Sequence, residues 1–196
     1  MIRLFKASES HFDFTHQDVW TLFHSYAFDF SVWEIWGALS KGGRLVIVPY
    51  SVARSSDDFY SLLEREQVTV LNQTPSSFAR LVSEDNARQG RLSLRYVVFG
   101  GEALDPAGLA PWLARHGDDE PQLINMYGIT ETTVHVTYCR VQKEHIDIYH
   151  NGTLIGSPLN DLRVRVLSES GELAPLGVAG ELYVGGAGVA LSLIHI

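Results

Sequence analysis

Cysteine is nearly absent: Cys139 stands alone in 196 residues, which rules out a disulfide framework within the chain and any metal site built on several thiolates. Also missing is an apolar run approaching the ~20 residues that a membrane span needs. Arg3 and Lys6 near the start are not followed by the apolar stretch of a signal peptide. The expectation is a protein that meets no membrane and works in the cytoplasm. Basic residues are few, 15 Lys plus Arg against 23 Asp plus Glu for a net charge of −8. No basic run stands out, which argues against a nucleic-acid partner. An acidic chain can still bind a nucleotide, because a divalent cation and backbone N–H groups supply a local positive field. What is present is an ordinary globular balance, 45% apolar and 19% charged, enough for one domain or one large part of a bigger one.

The first two-thirds alternates strand-like with helix-like segments. Residues 45–48, 68–71, 96–99 and 122–125 read as buried strands. Between them, Ser55 and Ser56 can cap a helix with Asp57 and Asp58 in its first turn and Phe59, Leu62 and Leu63 on one face. Pro75 fits the first position of a helix carrying Phe78, Leu81 and Val82, and Asp105-Pro106 opens one that buries Leu109, Trp112 and Leu113. The pattern predicts an α/β fold with a mainly parallel sheet over about residues 1–133. From about 134 to 190 the chain turns to short β-type runs (134–141, 162–167, 180–184), which predicts an antiparallel sheet or partial barrel packed on the α/β part.

Three constellations carry chemistry. Phe99-Gly100-Gly101-Glu102-Ala103-Leu104 follows a strand and precedes a helix, so bare backbone can lie against a ligand at the carboxyl end of a parallel sheet; a plain structural turn fits it too. Asn125-Met126-Tyr127-Gly128-Ile129-Thr130-Glu131-Thr132-Thr133 combines an aromatic face, a glycine, a hydroxyl and a carboxylate, the groups of a Mg²⁺-nucleotide site or of a hydrogen-bonded loop. In Phe28-Asp29-Phe30-Ser31-Val32-Trp33-Glu34, Asp29 sits in an apolar stretch with no local cation. Either it caps a helix beginning near Ser31, or its partner is distant in sequence or is a ligand ammonium.

Together these segments resemble the core motifs of nonribosomal peptide synthetase adenylation domains, members of the adenylate-forming superfamily. Phe28-Asp29-Phe30-Ser31, Asn125-Met126-Tyr127-Gly128-Ile129-Thr130-Glu131 and Gly180-Glu181-Leu182-Tyr183-Val184-Gly185-Gly186 occur in the family's order and spacing. Leu22-Phe23-His24-Ser25 and Ile155-Gly156-Ser157-Pro158 fit as well, and the likeness runs over residues 1–190. Ile129 departs from the family's usual proline.

The resemblance implies that an amino acid and Mg·ATP give an aminoacyl adenylate. The aminoacyl group then passes to the phosphopantetheine of a peptidyl carrier protein, beside a condensation domain of the same synthetase. It implies that Gly101, Glu102, Ala103 and Tyr127 hold the adenine, with Asn125 near its exocyclic amine. Thr130 would contact phosphate, and Glu131 would hold Mg²⁺ as charge builds on the α-phosphate. Asp29 would pair with the substrate ammonium, and His24 would lie near the substrate carboxylate or pack as a core histidine. The side-chain pocket at matching positions is Asp29, Phe30, Trp33, Asn72, Val98, Gly100, Met126, Val134 and His135, a threonine-type set. Bulky Phe30, Trp33 and Met126 leave room for a short side chain. Asn72 and His135 offer hydrogen bonds that valine would leave unpaired, whereas serine would lose only a methyl contact of ~1 kcal/mol. The competing expectations are a fragment of an acyl- or aryl-CoA ligase, against which Asp29 speaks, and a catalytically inert fragment.

By the same resemblance the phosphate loop precedes this chain, and the ribose-binding aspartate and catalytic lysine follow it. The isolated polypeptide is therefore expected to form adenylate at no useful rate. Residues 191–196 break the family pattern and read as the translation of a transposon end, so they are expected to be a non-native tail.

Overall fold

The computed structural model describes residues 1–148 and 152–190; the tail at 191–196 lies outside them. The chain runs α1 (Ile2–Ser8), β1 (Val19–Leu22), α2 (Phe30–Ser40), β2 (Arg44–Ile47), α3 (Tyr50–Ala53), α4 (Ser56–Glu66), β3 (Val70–Gln73), α5 (Pro75–Arg88) and β4 (Tyr96–Phe99). A 3₁₀ turn (Pro106–Leu109) leads into α6 (Ala110–His116), followed by β5 (Gln122–Asn125), a second 3₁₀ turn (Thr130–Thr132), β6 (Thr137–Val141), α7 (Lys143–Ile148), β7 (Ser157–Pro158), β8 (Leu162–Leu167) and β9 (Glu181–Gly186).

The helices begin where their chemistry dictates. Ser55 accepts the Asp58 N–H at the start of α4, and that helix ends at Gln67 in a left-handed conformation. Thr74 caps α5 ahead of Pro75, and Asp105 accepts the Ala107 N–H ahead of the first 3₁₀ turn.

Strands β2-β1-β3-β4-β5 form a parallel sheet in that order, as the alternation predicted, and β6 and β7 extend it antiparallel. Of the run at 134–141, expected in the second sheet, residues 137–141 form the strand and belong to the first sheet. β6 turns back from the loop after β5 and pairs Asn125 with Cys139. The separate sheet is the β8–β9 hairpin, paired over six residues from Leu162↔Gly186 to Leu167↔Glu181.

Side chains alternate across the parallel sheet, as the two-residue period of a strand requires. Leu71, Val97, Phe99 and Leu123 join a core under α4, α5 and α6, while Val70, Tyr96, Val98 and Ile124 join a second core with α1 and α2 on the other face. α2 lies close to β1 because residue 37 is glycine: a Cβ there would meet the Trp20 ring at 2.4 Å. This second face carries the candidate site.

Candidate functional site

Register puts the pocket residues level. Asn72 pairs with Val98 and Val98 with Ile124, so Asn72 and Val98 share the α2 face near the carboxyl ends of three adjacent strands, with Gly100 and Met126 just beyond. From α2, Phe30 and Trp33 project one turn apart into the same core, both fully buried. His135 meets them edge-on, its ring centre 5.3 Å from Phe30 and 5.1 Å from Trp33. A Cβ on Gly100 would touch both Phe30 and His135. With Val134, which joins the same core beside His135, eight of the nine expected pocket positions gather in one place.

His135 reaches the pocket by a costly backbone. Thr133 and Val134, both β-branched, take φ of 63° and 67°, a region that disfavours a Cβ by roughly 1–2 kcal/mol per residue. The path is pinned by Tyr127, whose carbonyl accepts the N–H groups of Val136 and Thr137 at 2.7 and 3.1 Å. Gly128 allows the approach, since a Cβ there would stand 2.2 Å from the Val134 carbonyl oxygen.

The polar groups of the pocket are unevenly satisfied. The Trp33 indole donates to Asn72 Oδ1 at 3.0 Å, which fixes the amide with its NH₂ turned the other way. Asn72 Nδ2 and both ring nitrogens of His135 are buried without a partner among the described residues. Burial alone pulls the His135 imidazole down to about 3 from its ordinary 6.5, so the ring is neutral at neutral pH, one nitrogen a donor and the other an acceptor.

Asp29, the ninth position, occupies the N-cap of α2 but makes no side-chain capping bond. It is half-buried, and its carboxylate has no hydrogen-bond or ion-pair partner among the described residues. Capping therefore does not account for it.

The nucleotide-side residues cluster at the ends of β4 and β5. Gly101 takes φ +79°, and Ala103 follows in the exposed turn. The Glu102 carboxylate does not extend over that turn but accepts the Ser76 N–H and hydroxyl at 3.1 and 2.9 Å, tying the turn to the start of α5. Asn125 donates to the Leu154 carbonyl at 2.8 Å, leaving Oδ1 to accept. The Tyr127 ring is exposed at 38%, available for stacking on a flat base.

Thr130 and Glu131 form an exposed 3₁₀ turn, with the Glu131 carbonyl held by the Ala190 N–H and the Thr133 hydroxyl by the Gly188 carbonyl. Ile129 stands extended at φ −131° and donates its N–H to Thr132 Oγ1 at 3.2 Å, a bond that a proline could not make. Among the described residues no cluster of three or more His, Cys, Asp or Glu could hold a metal. A lone exposed carboxylate fits Mg²⁺, which binds through one or two carboxylates together with substrate phosphates.

The sequence reading missed Glu34. One turn beyond Phe30, it is fully buried and accepts the Phe23 N–H at 3.2 Å, the His24 N–H at 3.1 Å, and a contact from His24 Nδ1 at 3.1 Å. Burial pushes its carboxyl above the ordinary range, and the His24 contacts oppose that rise. The available signal was a carboxylate inside an otherwise apolar helix, for which burial demands partners.

The fold and the motif geometry meet in a family. The chain matches the model of the AMP-binding enzyme family over residues 1–193 and belongs to that family. It is 56% identical over 191 residues to a dimodular nonribosomal peptide synthase of Bacillus subtilis (strain 168), covering 96% of this chain and 8% of that protein. It is 48% identical to syringomycin synthase SyrB1 of Pseudomonas syringae pv. syringae, covering 98% of this chain and 31% of that protein. The chain thus spans less than a third of the length of these relatives. Among solved structures, holo-PA1221, an NRPS protein containing adenylation and PCP domains bound to a vinylsulfonamide inhibitor, matches at a TM-score of 0.78 and 29% identity, covering 91% of this chain and 30% of that one. The AMPPNP-bound form of the synthetase FmoA3 matches at 0.87 and 24% identity over 96% of this chain and 20% of that one, which shows a shared fold. No helix among the described residues is long and apolar enough to cross a membrane.

Proposed function

We propose that this chain forms the amino-acid pocket and part of the nucleotide site of an adenylation domain that activates L-threonine as its adenylate for a carrier protein. The observation that carries the reading is the set of buried, unpartnered groups in the pocket: Asn72 Nδ2 and the two nitrogens of His135, within walls of Phe30, Val98, Met126 and Val134. Each buried group left unpaired costs about 1–3 kcal/mol. A ligand hydroxyl can accept from Asn72 and exchange a hydrogen bond with His135, removing that cost where an isopropyl group would seal it in. Asp29, partnerless beside Phe30, would take the ammonium.

In this reading the chain's residues position both reactants. Tyr127 stacks on the adenine, the Asn125 Oδ1 accepts from its amine, and the Gly100-Gly101 backbone lets the ligand lie close. Thr130 meets phosphate. Glu131 would hold Mg²⁺, which neutralises phosphate charge when bound. Both residues stay aligned because the 188–190 backbone clamps their turn. The carrier-protein partner is supported by the adenylation and PCP domains named together in holo-PA1221.

The test grafts residues 1–190 into a complete adenylation domain and measures ATP–pyrophosphate exchange across amino acids. Threonine should exceed valine by about 10²-fold or more, because a site with polar groups rejects an analogue that cannot pair them, with serine the nearest competitor. A graft that prefers valine or an aromatic amino acid would defeat the assignment.

A further inference from the structure

Behind the pocket lies a pair that the proposed chemistry leaves unused. The His24 side chain is almost wholly buried, with an exposure of 7%, and its Nε2 has no partner among the described residues. The ring stacks on Phe30 at 4.7 Å and meets Phe28 edge-on at 5.4 Å. Those two rings in turn abut the Gly100-Gly101 turn: a Cβ on Gly100 would lie 3.3 Å from Phe30, and one on Gly101 would lie 2.8 Å from Phe28. His24 therefore packs against both of the rings that border the Gly100-Gly101 turn.

The orientation of the imidazole is set from the other side. Glu34 Oε1 accepts the Phe23 N–H and faces His24 Nδ1, while Oε2 accepts the His24 N–H. Both oxygens accept backbone N–H groups, bonds that favour the ionised carboxylate against the burial that raises its pKa. A carboxylate oxygen facing Nδ1 favours the hydrogen on that nitrogen, which in the neutral ring leaves Nε2 its lone pair.

We propose that Glu34 is a positioning residue that holds His24 in its Nδ1–H form, so that Nε2 is presented as a hydrogen-bond acceptor for the ammonium of an amino acid bound over the Gly100-Gly101 turn. The ligand half of this statement rests on the amino-acid reading above; the tautomer half does not. Glu34 is a natural anchor because α2 also carries Phe30 and Trp33, so the groups that shape the pocket and the group that orients His24 share one rigid helix.

The experiment is NMR of the 196-residue chain labelled with ¹⁵N at histidine rings and tryptophan indoles. Three measurements bear on it. In the unmodified protein the His24 pattern should show a protonated Nδ1 and a bare Nε2; the reverse pattern overturns the proposal whatever any variant does. In Glu34→Gln, which offers an NH₂ in place of a carboxylate oxygen, His24 should move toward the Nε2–H form, with unchanged Trp33 and His135 signals reporting an intact fold. A retained Nδ1–H form in that variant also overturns it.

Titration with L-threonine methyl ester, which keeps the ammonium, should shift the His24 Nε2 signal. Titration with 3-hydroxybutyrate, which lacks the ammonium, should not. The Trp33 indole signal reports occupancy of the pocket independently. If Trp33 responds and His24 does not, the ligand half falls while the threonine pocket stands. If neither responds, the pocket reading falls and takes the ligand half with it.

Discussion

The hydrogen bond from Trp33 to Asn72 is the most exacting element of the pocket, and a mutant cycle isolates it. Trp33→Phe keeps an aromatic ring against Phe5, at present stacked 4.9 Å away, and removes the only donor to Asn72 Oδ1 among the described residues. Both residues are wholly buried, so no water replaces the lost N–H. The stranded carbonyl costs about 1–3 kcal/mol. The volume lost between indole and phenyl, a few tens of Å³, adds about 1 kcal/mol at the usual cavity rate. Trp33→Phe should therefore destabilise the chain by about 3 kcal/mol. Asn72→Leu removes an amide whose Nδ2 is already unpaired and strands only the indole N–H, so about 1–2 kcal/mol is expected. In the double variant neither polar group remains, and its loss should fall short of the sum of the singles by about 1–2 kcal/mol. Urea unfolding followed by far-ultraviolet circular dichroism reads all four corners without relying on tryptophan emission. If the singles add to within about 0.5 kcal/mol, the bond does not orient the amide, and the argument for a ligand hydroxyl loses its geometric basis.

Two further outcomes follow from buried charge. The folded-state pKa of His135, about 3, lies below its ordinary 6.5, so the unfolded chain binds the extra proton between those values and stability falls as pH drops through that window, by up to about 1.4 kcal/mol per pH unit. Glu34, raised by burial, acts in the opposite sense, but its effect is common to wild type and His135→Gln. The difference between their urea-midpoint curves should therefore slope between pH 6.5 and 4, and parallel curves would contradict the burial of a neutral ring. Asp18, 1% exposed, accepts two bonds from Arg95 at 2.7 and 2.9 Å, the Thr69 hydroxyl at 2.7 Å and the Thr15 N–H at 2.8 Å. Asp18→Ala should cost about 3 kcal/mol, the low end for a broken buried pair because Arg95 keeps access to solvent; a thermal-melting or urea loss under about 1 kcal/mol would show that the network is not cooperative.

The legible parts of this fold are those written in short-range pattern. Tyr96–Phe99 and Gln122–Asn125 were readable as strands because their buried apolar runs end at turn residues, and their observed bounds agree. β3 instead starts two residues later than its apolar run and takes in Asn72 and Gln73. Neither amide favours a strand by propensity; Asn72 is stabilised there by Trp33, 39 positions away, a partner that no local window contains. β6 could be read as a strand but not assigned to a sheet, because period-two alternation says nothing about which edge a strand joins. His135 was named from resemblance. The left-handed Thr133 and Val134 that carry it there run against what β-branched residues prefer, so no propensity argument could have traced the path. Glu34 escaped for a related reason: two of its bonds come from backbone N–H groups, which leave no mark in a side-chain motif.

These departures share one location, and the opposite face of the sheet supplies the comparison. There Asp85, 1% exposed, is also a buried carboxylate, but Tyr60, His116 and Arg115 all engage it. On the α2 face, Asn72 Nδ2, the two nitrogens of His135 and His24 Nε2 all lack a partner among the described residues, and the three residues are linked through the rings of Phe30 and Trp33. At about 1–3 kcal/mol for each unmet group, with backbone strain of roughly 1–2 kcal/mol at each of Thr133 and Val134, this patch works against folding by an amount comparable to the whole net stability of a domain. Apolar residues of similar size would pack the same space without that cost. A sequence that keeps an amide and two imidazoles there departs from local consistency where functional sites characteristically do. A small ligand bearing both a hydroxyl and an ammonium could pair these polar groups together, the hydroxyl at Asn72 and His135 and, on the proposed amino-acid reading, the ammonium at His24.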